Sequence, residues 1–374
     1  SKPCADGAQT RRRSCAPAST TSYNAENTMP TLSGAAAQDG IVLSILVKAL
    51  NEERHIAACL RSALEEAAGW PCEVILVDSL SDDRTVEIAE QFQVGIVQFA
   101  ARSDRGCGAA LQLGYQYARG RYLYVLDGDM TLEPGFLGQA IAYLEAHAQV
   151  AGVGGRLRDT ALHSAADKRR AMHYATVHGE QAVASLGGGG LYRRSAVDAT
   201  GYLANRWLPA CEEAELGARL RAQGWNLVRL GVPAVAHTGH QESSWNMLKR
   251  LWRNGRMRAY GMLLRGAVGQ PWFAATLRAC WHVLIAPAAY ATALLLALLG
   301  ALMGLSFASL LVGLLAGGWG AAFLLLYWRK RDAGEALFSI IAWHWYAVAA
   351  VSGFARPLRD PLEPIPALVV RPPP

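Results

Sequence analysis

From residue 41 onward, short apolar runs alternate with longer stretches in which apolar residues recur at helical spacing. The apolar runs are continuous, as is typical of parallel strands covered by helices on both faces. We therefore predict an α/β fold with a doubly wound, mostly parallel sheet whose ligands gather at the carboxyl ends of the strands. The predicted strands are 41–49, 73–78, 94–99 and 122–127, and the predicted helices between them are 53–69, 85–92 and 106–118.

The longest uncharged run lies near the C-terminus, where 50 residues between Arg278 and Arg329 include no Asp, Glu, Lys or Arg. One bilayer crossing needs about 20 apolar residues. The run therefore predicts a helical hairpin at about 281–303 and 306–328. A third stretch, 336–355, is long enough to cross but carries amphipathic aromatic residues, so it either spans the membrane or lies at the interface. The apolar core of a soluble domain is disfavoured, because soluble helices rarely lack a polar face for so long.

Charge is distributed unevenly along the chain. The net charge is +6, but the segment from Trp245 to Pro374 alone has 13 Lys and Arg against 4 Asp and Glu. A nucleic-acid-binding protein is not expected to place its excess charge beside apolar spans. Basic residues flank both ends of the hairpin and none lies at its turn, which predicts a multi-pass inner-membrane protein whose N-terminal domain faces the cytoplasm. Seven cysteines without CxxC spacing agree with free thiols in a reducing compartment.

These patterns divide the chain into four predicted parts. The first is rich in Ala, Ser, Thr and Gly, and we expect a disordered tail without the apolar core of a signal peptide. The third combines Trp, Leu and Met with several cations, as interfacial helices do. The parts are a tail at 1–40, an α/β domain at 41–244, a basic amphipathic segment at 245–278, and a transmembrane region with a short tail at 279–374.

Acidic residues follow three of the predicted strands. Asn51 and Glu52 follow the first strand, Asp78 ends the second, and Asp127 and Asp129 end the fourth as Asp-Gly-Asp. Carboxylates collected at one rim repel one another unless a cation lies between them, so a divalent ion such as Mg²⁺ or Mn²⁺ is predicted there. A surface turn is the alternative for Asp-Gly-Asp taken alone.

Five motifs occur in a fixed order between residues 41 and 240: VKALNEE, VDSLSDDRT, RGCGAALQLGYQYARGRYLYVLDGDM, LGGGGLYRRSA and CEEAELGARLRAQGW. Together they resemble the family 2 glycosyltransferases, which are inverting enzymes of the GT-A fold. The resemblance implies that Asp78 lies near the nucleotide base, and that Asp129, with Asp127, binds the Mg²⁺ or Mn²⁺ that bridges the diphosphate. Many relatives have Asp where this chain has Ser79, which leaves the base open. The implied nucleotide-binding residues are Ala49, Asn51, Glu52, Asp78 and Asp127.

The last motif implies the catalytic base. Glu213 is the expected base, with Glu212 as the alternative, and the same residues could instead be an acidic cluster that stabilises a helix N-terminus. The glycine-rich motif implies an acceptor-binding segment that includes Gly188, Gly189 and Tyr192, where a flexible hinge is the alternative. His237 and His240 are either metal ligands or structural histidines. One arginine among Arg250, Arg253 and Arg256 is expected to reach a phosphate of the donor or of a lipid.

The resemblance and the apolar helices together imply a membrane-bound inverting glycosyltransferase. It would transfer a sugar from a nucleotide-sugar donor to a lipid-linked or growing-glycan acceptor. A processive synthase is disfavoured, because the spans are few and the sequence Q-x-x-R-W is missing. Two other classes stay open, a catalytically silent membrane scaffold and a nucleotidyltransferase. The second should carry a phosphate-binding loop rich in Gly, Arg and Lys after the first strand, but residues 50–54 are acidic instead.

Overall fold

The computed structural model describes residues 40–162, 165–238 and 242–374. The predicted tail at 1–40 lies outside these residues except for Gly40, and His240 also lies outside them. Five of the seven cysteines are described, and all five are free thiols.

The first half of the fold is the predicted parallel βα array. β1 pairs in parallel with both β2 and β4, and β2 pairs in parallel with β3. Side chains of a strand alternate between its faces, so Ile45 and Val47 enter one buried cluster and Leu46 enters another. The elements are β1 (Leu43–Ala49), α1 (Ile56–Ala67), β2 (Cys72–Asp78), α2 (Thr85–Ala89), β3 (Gly95–Phe99), α3 (Cys107–Tyr117) and β4 (Tyr122–Asp127).

The second half of the fold includes strands that the sequence pattern did not predict. Its shortest strands have three, two and four residues, too few to show a hydrophobic period. The elements are β5 (Met130–Leu132), α4 (Phe136–Ala146), β6 (Val150–Asp159), α5 (Ala165–Ala175), β7 (Gln181–Ala182), β8 (Gly190–Arg193), α6 (Arg194–Ala199), α7 (Glu212–Ala222) and β9 (Asn226–His237).

The C-terminal third is helical apart from one last strand. Serine or aspartate side chains cap three of its helices, and Gly304, at φ +83°, allows the tight turn between the first two long apolar helices. Three helices are long and apolar enough to cross a membrane, as predicted. The elements are α8 (Ser244–Arg253), α9 (Ala259–Ala267), α10 (Phe273–Ala279), α11 (Ile285–Leu302), α12 (Phe307–Lys330), α13 (Ala333–Phe354) and β10 (Ala367–Arg371).

The sheet has ten strands and is mixed, which corrects the expectation of a mostly parallel sheet. β8 runs antiparallel to both β4 and β6, and β9 is parallel to β6 but antiparallel to β5 and β7. The parallel prediction holds for the half that contains β1 to β4, where a helix connects successive strands. The order along the sheet is β10-β3-β2-β1-β4-β8-β6-β9-β5, and β7 pairs with β9.

The basic segment packs along α13. The aromatic rings of Trp245 and Phe338 lie 5.0 Å apart between centroids, and those of Trp252 and Trp345 lie 5.3 Å apart. The backbones are in close contact further along, because a Cβ on Gly261 would lie 1.8 Å from the carbonyl oxygen of Ala350. One side of α13 is therefore covered by α8 and α9 over most of its length.

The chain returns from the apolar helices to the sheet. β10 pairs antiparallel with β3, with Val369 opposite Val97, so a segment that the sequence placed in the C-terminal tail supplies an edge strand. An unpaired edge of β3 would expose its backbone amide and carbonyl groups, and β10 satisfies them. Because the sheet and β10 lie on the same side of any membrane, the chain between them crosses that membrane an even number of times or not at all.

Candidate active site

The carboxyl ends of β1, β2 and β4 form one rim, as the sequence predicted. Ala49 lies opposite Asp78 in the register of β1 with β2, and Lys48 lies opposite Asp127 in the register of β1 with β4. One strand separates Asp78 from Asp127, which corresponds to roughly 10 Å at the usual strand spacing. A nucleotide lying across the ends of the strands could contact both positions.

Asp78 is fully buried and holds the loop that follows β2. Its carboxylate accepts hydrogen bonds from Ser81 N at 3.0 Å and from Gln98 Nε2 at 2.8 Å. Asn51, at φ +58°, fixes the same loop, because its amide oxygen accepts from Asp82 N at 2.8 Å. Both side chains thus accept hydrogen bonds from backbone amides of the loop after β2, and they fix this wall of the predicted nucleotide pocket.

Lys48 is the centre of a largely buried ion cluster. Its Nζ lies 3.1 Å from Asp127 Oδ1, 2.9 Å from Glu212 Oε1 and 3.8 Å from Glu213 Oε1. Burial alone would lower the pKa of Lys48, but the three carboxylates outweigh burial and raise this pKa well above its usual value. Lys48 therefore remains protonated and holds the first turn of α7 against the rim of the sheet.

The two glutamates that open α7 differ in pKa. Burial opposes ionisation of Glu212, but the Lys48 ammonium outweighs burial and lowers the pKa of Glu212. Burial and the adjacent Glu212 charge raise the pKa of Glu213 to about 7. The Glu213 side chain is 19% exposed, against 3% for Glu212, so a ligand can reach it. A reachable carboxyl group with a pKa near 7 suits a general base.

Arg256 extends from the basic segment into this cluster. Its Nη2 donates to Cys107 Sγ at 2.9 Å. Burial would lower the pKa of Arg256, but Cys107 and the carboxylates of Glu212 and Asp127 raise it, so this arginine stays charged. Arg250 instead pairs with Glu242. Of the three arginines considered from the sequence, Arg256 is the one that approaches the rim.

A second charged group lies at the end of β9. His237 Nε2 lies 3.2 Å from Asp129 Oδ2, and His237 Nδ1 lies 2.8 Å from Asp159 Oδ1. Arg170 donates to Asp159 Oδ2 at 2.9 Å and so fixes the carboxylate behind the histidine. Burial would lower the pKa of His237, but the hydrogen bond to Asp129 and the contact with Asp159 raise it to about 8.

The donor set of Asp129 and His237 fits a divalent cation. Carboxylate oxygen and imidazole nitrogen both bind Mn²⁺, and a carboxylate behind the other ring nitrogen, as Asp159 is here, is the usual support of a metal-bound histidine. Among the described residues, no three His, Cys, Asp and Glu side chains converge on a metal site. Diphosphate oxygens or water would therefore complete the coordination. Asp127 is paired with Lys48, and its predicted part in metal binding remains a prediction.

The glycine-rich segment runs directly past Asp127. A Cβ on Gly188 would lie 2.8 Å from Met130 Cε and 3.4 Å from Asp127 Oδ2, so only glycine fits without displacing the methionine. Gly189 has φ +81°, which favours glycine. Tyr192 is 1% exposed, and burial followed by the Glu213 charge raises the pKa of its phenol. Its predicted contact with an acceptor would require movement of the segment.

Comparison with known proteins identifies the domain that carries these residues. The family model described as glycosyl transferase family 2 matches residues 44–197. This match spans β1 to α6 and includes the Asp-Gly-Asp turn and the glycine-rich segment. The chain contains a family 2 glycosyltransferase domain. α7, with Glu212 and Glu213, follows the matched residues.

Curated relatives and solved structures resemble this glycosyltransferase domain. The putative glycosyltransferase EpsH of Bacillus subtilis is 27% identical over 42% of this chain and 48% of its own length. The undecaprenyl-phosphate 4-deoxy-4-formamido-L-arabinose transferase of Pseudomonas paraeruginosa is 28% identical over 56% of this chain and 62% of its own length. The chain thus spans about half to three fifths of these two relatives.

The fold is shared over a larger part of the chain. The mannosyltransferase PcManGT from Pyrobaculum calidifontis, solved with GDP-Man and Mn²⁺, superposes with a TM-score of 0.55 and 18% identity. The superposition covers 85% of this chain and 88% of that one, so it extends beyond the glycosyltransferase domain into the C-terminal helices. The predicted GT-A fold is confirmed.

Lys48 and Asp159 were not predicted from the sequence. Lys48 lies within the first motif and is the only charged residue in β1. A lone cation in an otherwise apolar strand was the available signal, because an unpaired buried charge is costly. Asp159 ends β6, as the predicted acidic residues end their strands, but no strand was predicted there.

Proposed function

We propose that the chain is a membrane-bound, metal-dependent inverting glycosyltransferase. It transfers one sugar from a nucleotide-sugar donor to a lipid-linked or growing-glycan acceptor at the membrane surface. The observation that carries the proposal is the asymmetric glutamate pair beside Lys48, in which Glu212 is ionised by the lysine and Glu213 has a pKa of about 7.

In this proposal Glu213 is the base. It removes the proton from the acceptor hydroxyl as the oxygen attacks the anomeric carbon, and the bond from that carbon to the donor diphosphate breaks on the opposite face. Glu212 supplies the negative charge that, with burial, keeps the pKa of Glu213 high enough for proton transfer at neutral pH. Lys48 fixes the position of both glutamates.

The donor would lie across the rim from β2 to β9. Ala49, Asn51, Glu52 and Asp78 would line the nucleotide pocket. Asp129 and His237 would hold Mg²⁺ or Mn²⁺, which, when bound, neutralises the charge of the departing diphosphate. Bound Mn²⁺ in PcManGT supports the metal assignment, and GDP-Man bound in the same structure supports a nucleotide-sugar donor.

The acceptor is proposed from the apolar helices and from the activity that the name of one relative states. α11 and α12 would hold the domain at the bilayer, where lipid-linked acceptors are concentrated. The Pseudomonas relative acts on undecaprenyl phosphate, which favours a second candidate acceptor, a lipid phosphate. A phosphate oxygen is already ionised near pH 7, so it needs no base, whereas a sugar hydroxyl does.

A donor screen with the purified full chain tests the proposal. UDP-, GDP- and other nucleotide sugars are supplied with Mn²⁺ and a membrane lipid extract, and release of the nucleoside diphosphate is measured. We expect one donor class to be consumed and a chelator to abolish its consumption. The screen is repeated with Mg²⁺, and consumption of no donor with either metal would overturn the enzyme assignment and favour the silent scaffold.

The Glu213→Gln variant separates the two acceptors. With a hydroxyl acceptor, we expect kcat to fall by about 10²-fold to 10⁴-fold, as is usual when a general base is lost. The matched control is Glu87→Gln, which neutralises an exposed carboxylate on α2. An unchanged kcat in the Glu213 variant would exclude Glu213 as the base and favour a phosphate acceptor.

A further inference from the structure

A cavity of about 310 Å³ lies between the loop before α3, the segment before α7, the turn between α8 and α9, and the residues that follow α13. Its volume is at the lower end of the range for small-ligand sites. Neither the Lys48 cluster nor Asp129 lines it, so it is separate from the proposed transfer site. We call it the arginine cavity, because its charged lining residues are Arg105, Arg206, Arg258, Arg356, Arg359 and a single carboxylate, Asp104.

The single carboxylate is already neutralised. Asp104 Oδ1 accepts from Arg206 Nη2 at 2.9 Å, and Arg206 also donates to the carbonyl oxygens of Glu363 and Pro364 at 2.9 and 2.6 Å. Arg105 donates to the carbonyl oxygen of Ser79 at 3.1 Å. Asp104 is therefore occupied by Arg206, and no other carboxylate of the described residues lines the cavity to balance the charges of Arg258, Arg356 and Arg359.

The remaining arginines have free donors. In the part of the chain that the structure describes, the side chains of Arg258 and Arg356 form neither ion pairs nor hydrogen bonds. Arg359 stacks over Trp207, with Cζ 3.4 Å from the ring centroid, and among the described residues its one carboxylate partner is the exposed Glu363 at 3.3 Å. Guanidinium groups collected in this way repel one another unless an anion joins them, and their fork geometry suits phosphate.

The free arginines lie where apolar helices end. Arg356 is two residues beyond Phe354, the last residue of α13, and the backbone of Arg258 contacts Gly353. Because β10 pairs with β3 soon after α13 ends, this end of α13 lies on the same side of any membrane as the α/β domain. If the apolar helices are embedded in a bilayer, this end of α13 would lie near the lipid phosphates, and basic pockets beside apolar helices bind anionic headgroups.

We propose that the arginine cavity binds the phosphate of an anionic lipid headgroup. Arg258, Arg356 and Arg359 donate to the phosphate oxygens, while Arg206 and Asp104 shape the cavity floor. The inference does not depend on the transfer reaction, because a catalytically inactive chain would bind the lipid equally well. Phosphate in solution has the same binding chemistry, and the experiment distinguishes the two sources.

Lipid titration of the full chain in a neutral detergent tests this site. Dioctanoyl phosphatidylglycerol is titrated, and binding is measured by native mass spectrometry. The test variant carries Arg258→Gln, Arg356→Gln and Arg359→Gln. The matched control carries Arg253→Gln, Arg278→Gln and Arg329→Gln, which also removes three exposed basic residues near the membrane helices but none from the cavity.

We expect the test variant to raise the Kd for phosphatidylglycerol by about tenfold or more, and the control to change it by no more than about twofold. Dioctanoyl phosphatidylcholine should bind weakly, since its own cation neutralises the phosphate. Equal Kd values for the two variants would overturn the proposal. Inorganic phosphate binding as tightly as phosphatidylglycerol, with the same loss in the test variant, would overturn the lipid assignment.

A single substitution guards against a folding defect. Arg356 is exposed, so Arg356→Glu should leave the thermal unfolding midpoint unchanged in the absence of lipid. The added carboxylate repels the headgroup, and we expect the Kd for phosphatidylglycerol to rise by about tenfold or more. A folded Arg356→Glu variant that binds phosphatidylglycerol like the wild type would also overturn the proposal.

Discussion

At the start of α7, one lysine separates the pKa values of two adjacent carboxyl groups. Lys48 is closer to Glu212 than to Glu213, 2.9 Å against 3.8 Å, so the lysine compensates the burial of Glu212 more fully. The resulting charge on Glu212 then opposes ionisation of Glu213. A difference of about 1 Å in distance to a single cation thus separates the pKa values of the two carboxyl groups, lowering that of Glu212 and leaving that of Glu213 at about 7.

The pH dependence of kcat should reveal this arrangement. Glu213 must be deprotonated to accept a proton, and its pKa is about 7. With a hydroxyl acceptor, we expect kcat to fall about tenfold per pH unit below this pKa and to level off above it. The measurement is kcat at saturating donor and acceptor between pH 5 and pH 9. A kcat that is flat from pH 5 upward would show that the base has an ordinary carboxyl pKa.

Replacing Lys48 by methionine should raise both glutamate pKa values. The cation that lowers the pKa of Glu212 is then missing, and three carboxylates remain together in a buried site. We expect the midpoint of the pH profile to move up by about one unit or more, and the free energy of unfolding to fall by about 3 to 5 kcal/mol. Lys48→Arg, which keeps the charge, is the control. Lower stability with an unmoved midpoint would leave Lys48 a structural role only.

The sequence identified the acidic residues of this site better than their partners. Asp78, Asp127 and Asp129 are recognisable because each ends a long apolar strand, and the carboxyl ends of parallel strands collect ligands. Lys48 contacts Asp127, which is 79 positions away, and Glu212, which is 164 positions away, and no local pattern reports such distances. For the same reason Arg256 could not be chosen over Arg250 and Arg253 from the sequence.

At the scale of elements, the glycine-rich segment is shaped by two separate requirements. Gly187 and Gly189 have φ values of +74° and +81°, a conformation that costs other residues about 1 to 2 kcal/mol. At Gly189 a Cβ would also lie 2.8 Å from Val235 Cγ1, whereas at Gly187 it would meet nothing within 4 Å. The segment therefore tolerates a side chain at one position better than at the other.

Alanine at these two positions should separate backbone strain from steric overlap. We expect Gly187→Ala to reduce stability by about 1 to 2 kcal/mol, and Gly189→Ala to cost about 1 to 3 kcal/mol more because β9 must shift. The midpoint of thermal unfolding in detergent compares the two variants directly. Equal midpoints would mean that the segment moves away from Val235 without a penalty.

Long elements were predictable and short ones were not. β1 to β4 have five to seven residues each, and their continuous apolar character indicates a covered parallel sheet. β7 has two residues and was not predicted. β10 has five residues, as many as β3, but the two strands lie roughly 270 positions apart in the chain, so their pairing depends on the tertiary fold alone.

At the scale of the whole molecule, the pairing of β10 with β3 bears on whether the third apolar stretch crosses the membrane or lies at its interface. If α11, α12 and α13 all crossed a membrane, β10 would emerge on the side opposite β3, with which it pairs. α13 is also covered along one side by the basic segment, which has to stay in contact with water and headgroups. Among the described helices, we expect α13 to lie at the interface and α11 and α12 to cross the membrane as a pair.

Epitope tags test this topology. A tag after Pro374 should be accessible on the same side of the membrane as the glycosyltransferase domain. A tag inserted at Gly304, in the turn between α11 and α12, should be accessible only on the opposite side. Accessibility to protease is measured in sealed vesicles of known orientation, before and after the vesicles are opened. A Pro374 tag that is protected together with the Gly304 tag would contradict the pairing of β10 with β3.

Trp207 and Arg206 hold the segment between α13 and β10 against the α/β domain. The Trp207 indole donates to the carbonyl oxygen of Asp360 at 2.9 Å, and Arg206 binds the carbonyls just beyond, so the outgoing chain is fastened to the domain before β10 begins. The incoming chain is fastened separately, through Arg256 at Cys107. Two separate attachments restrict rotation of the α/β domain relative to the C-terminal helices. If α11 and α12 anchor the domain in a bilayer as proposed, we expect the opening above Glu213 to keep a nearly constant height above the lipid, and an acceptor would have to reach that height by its own length.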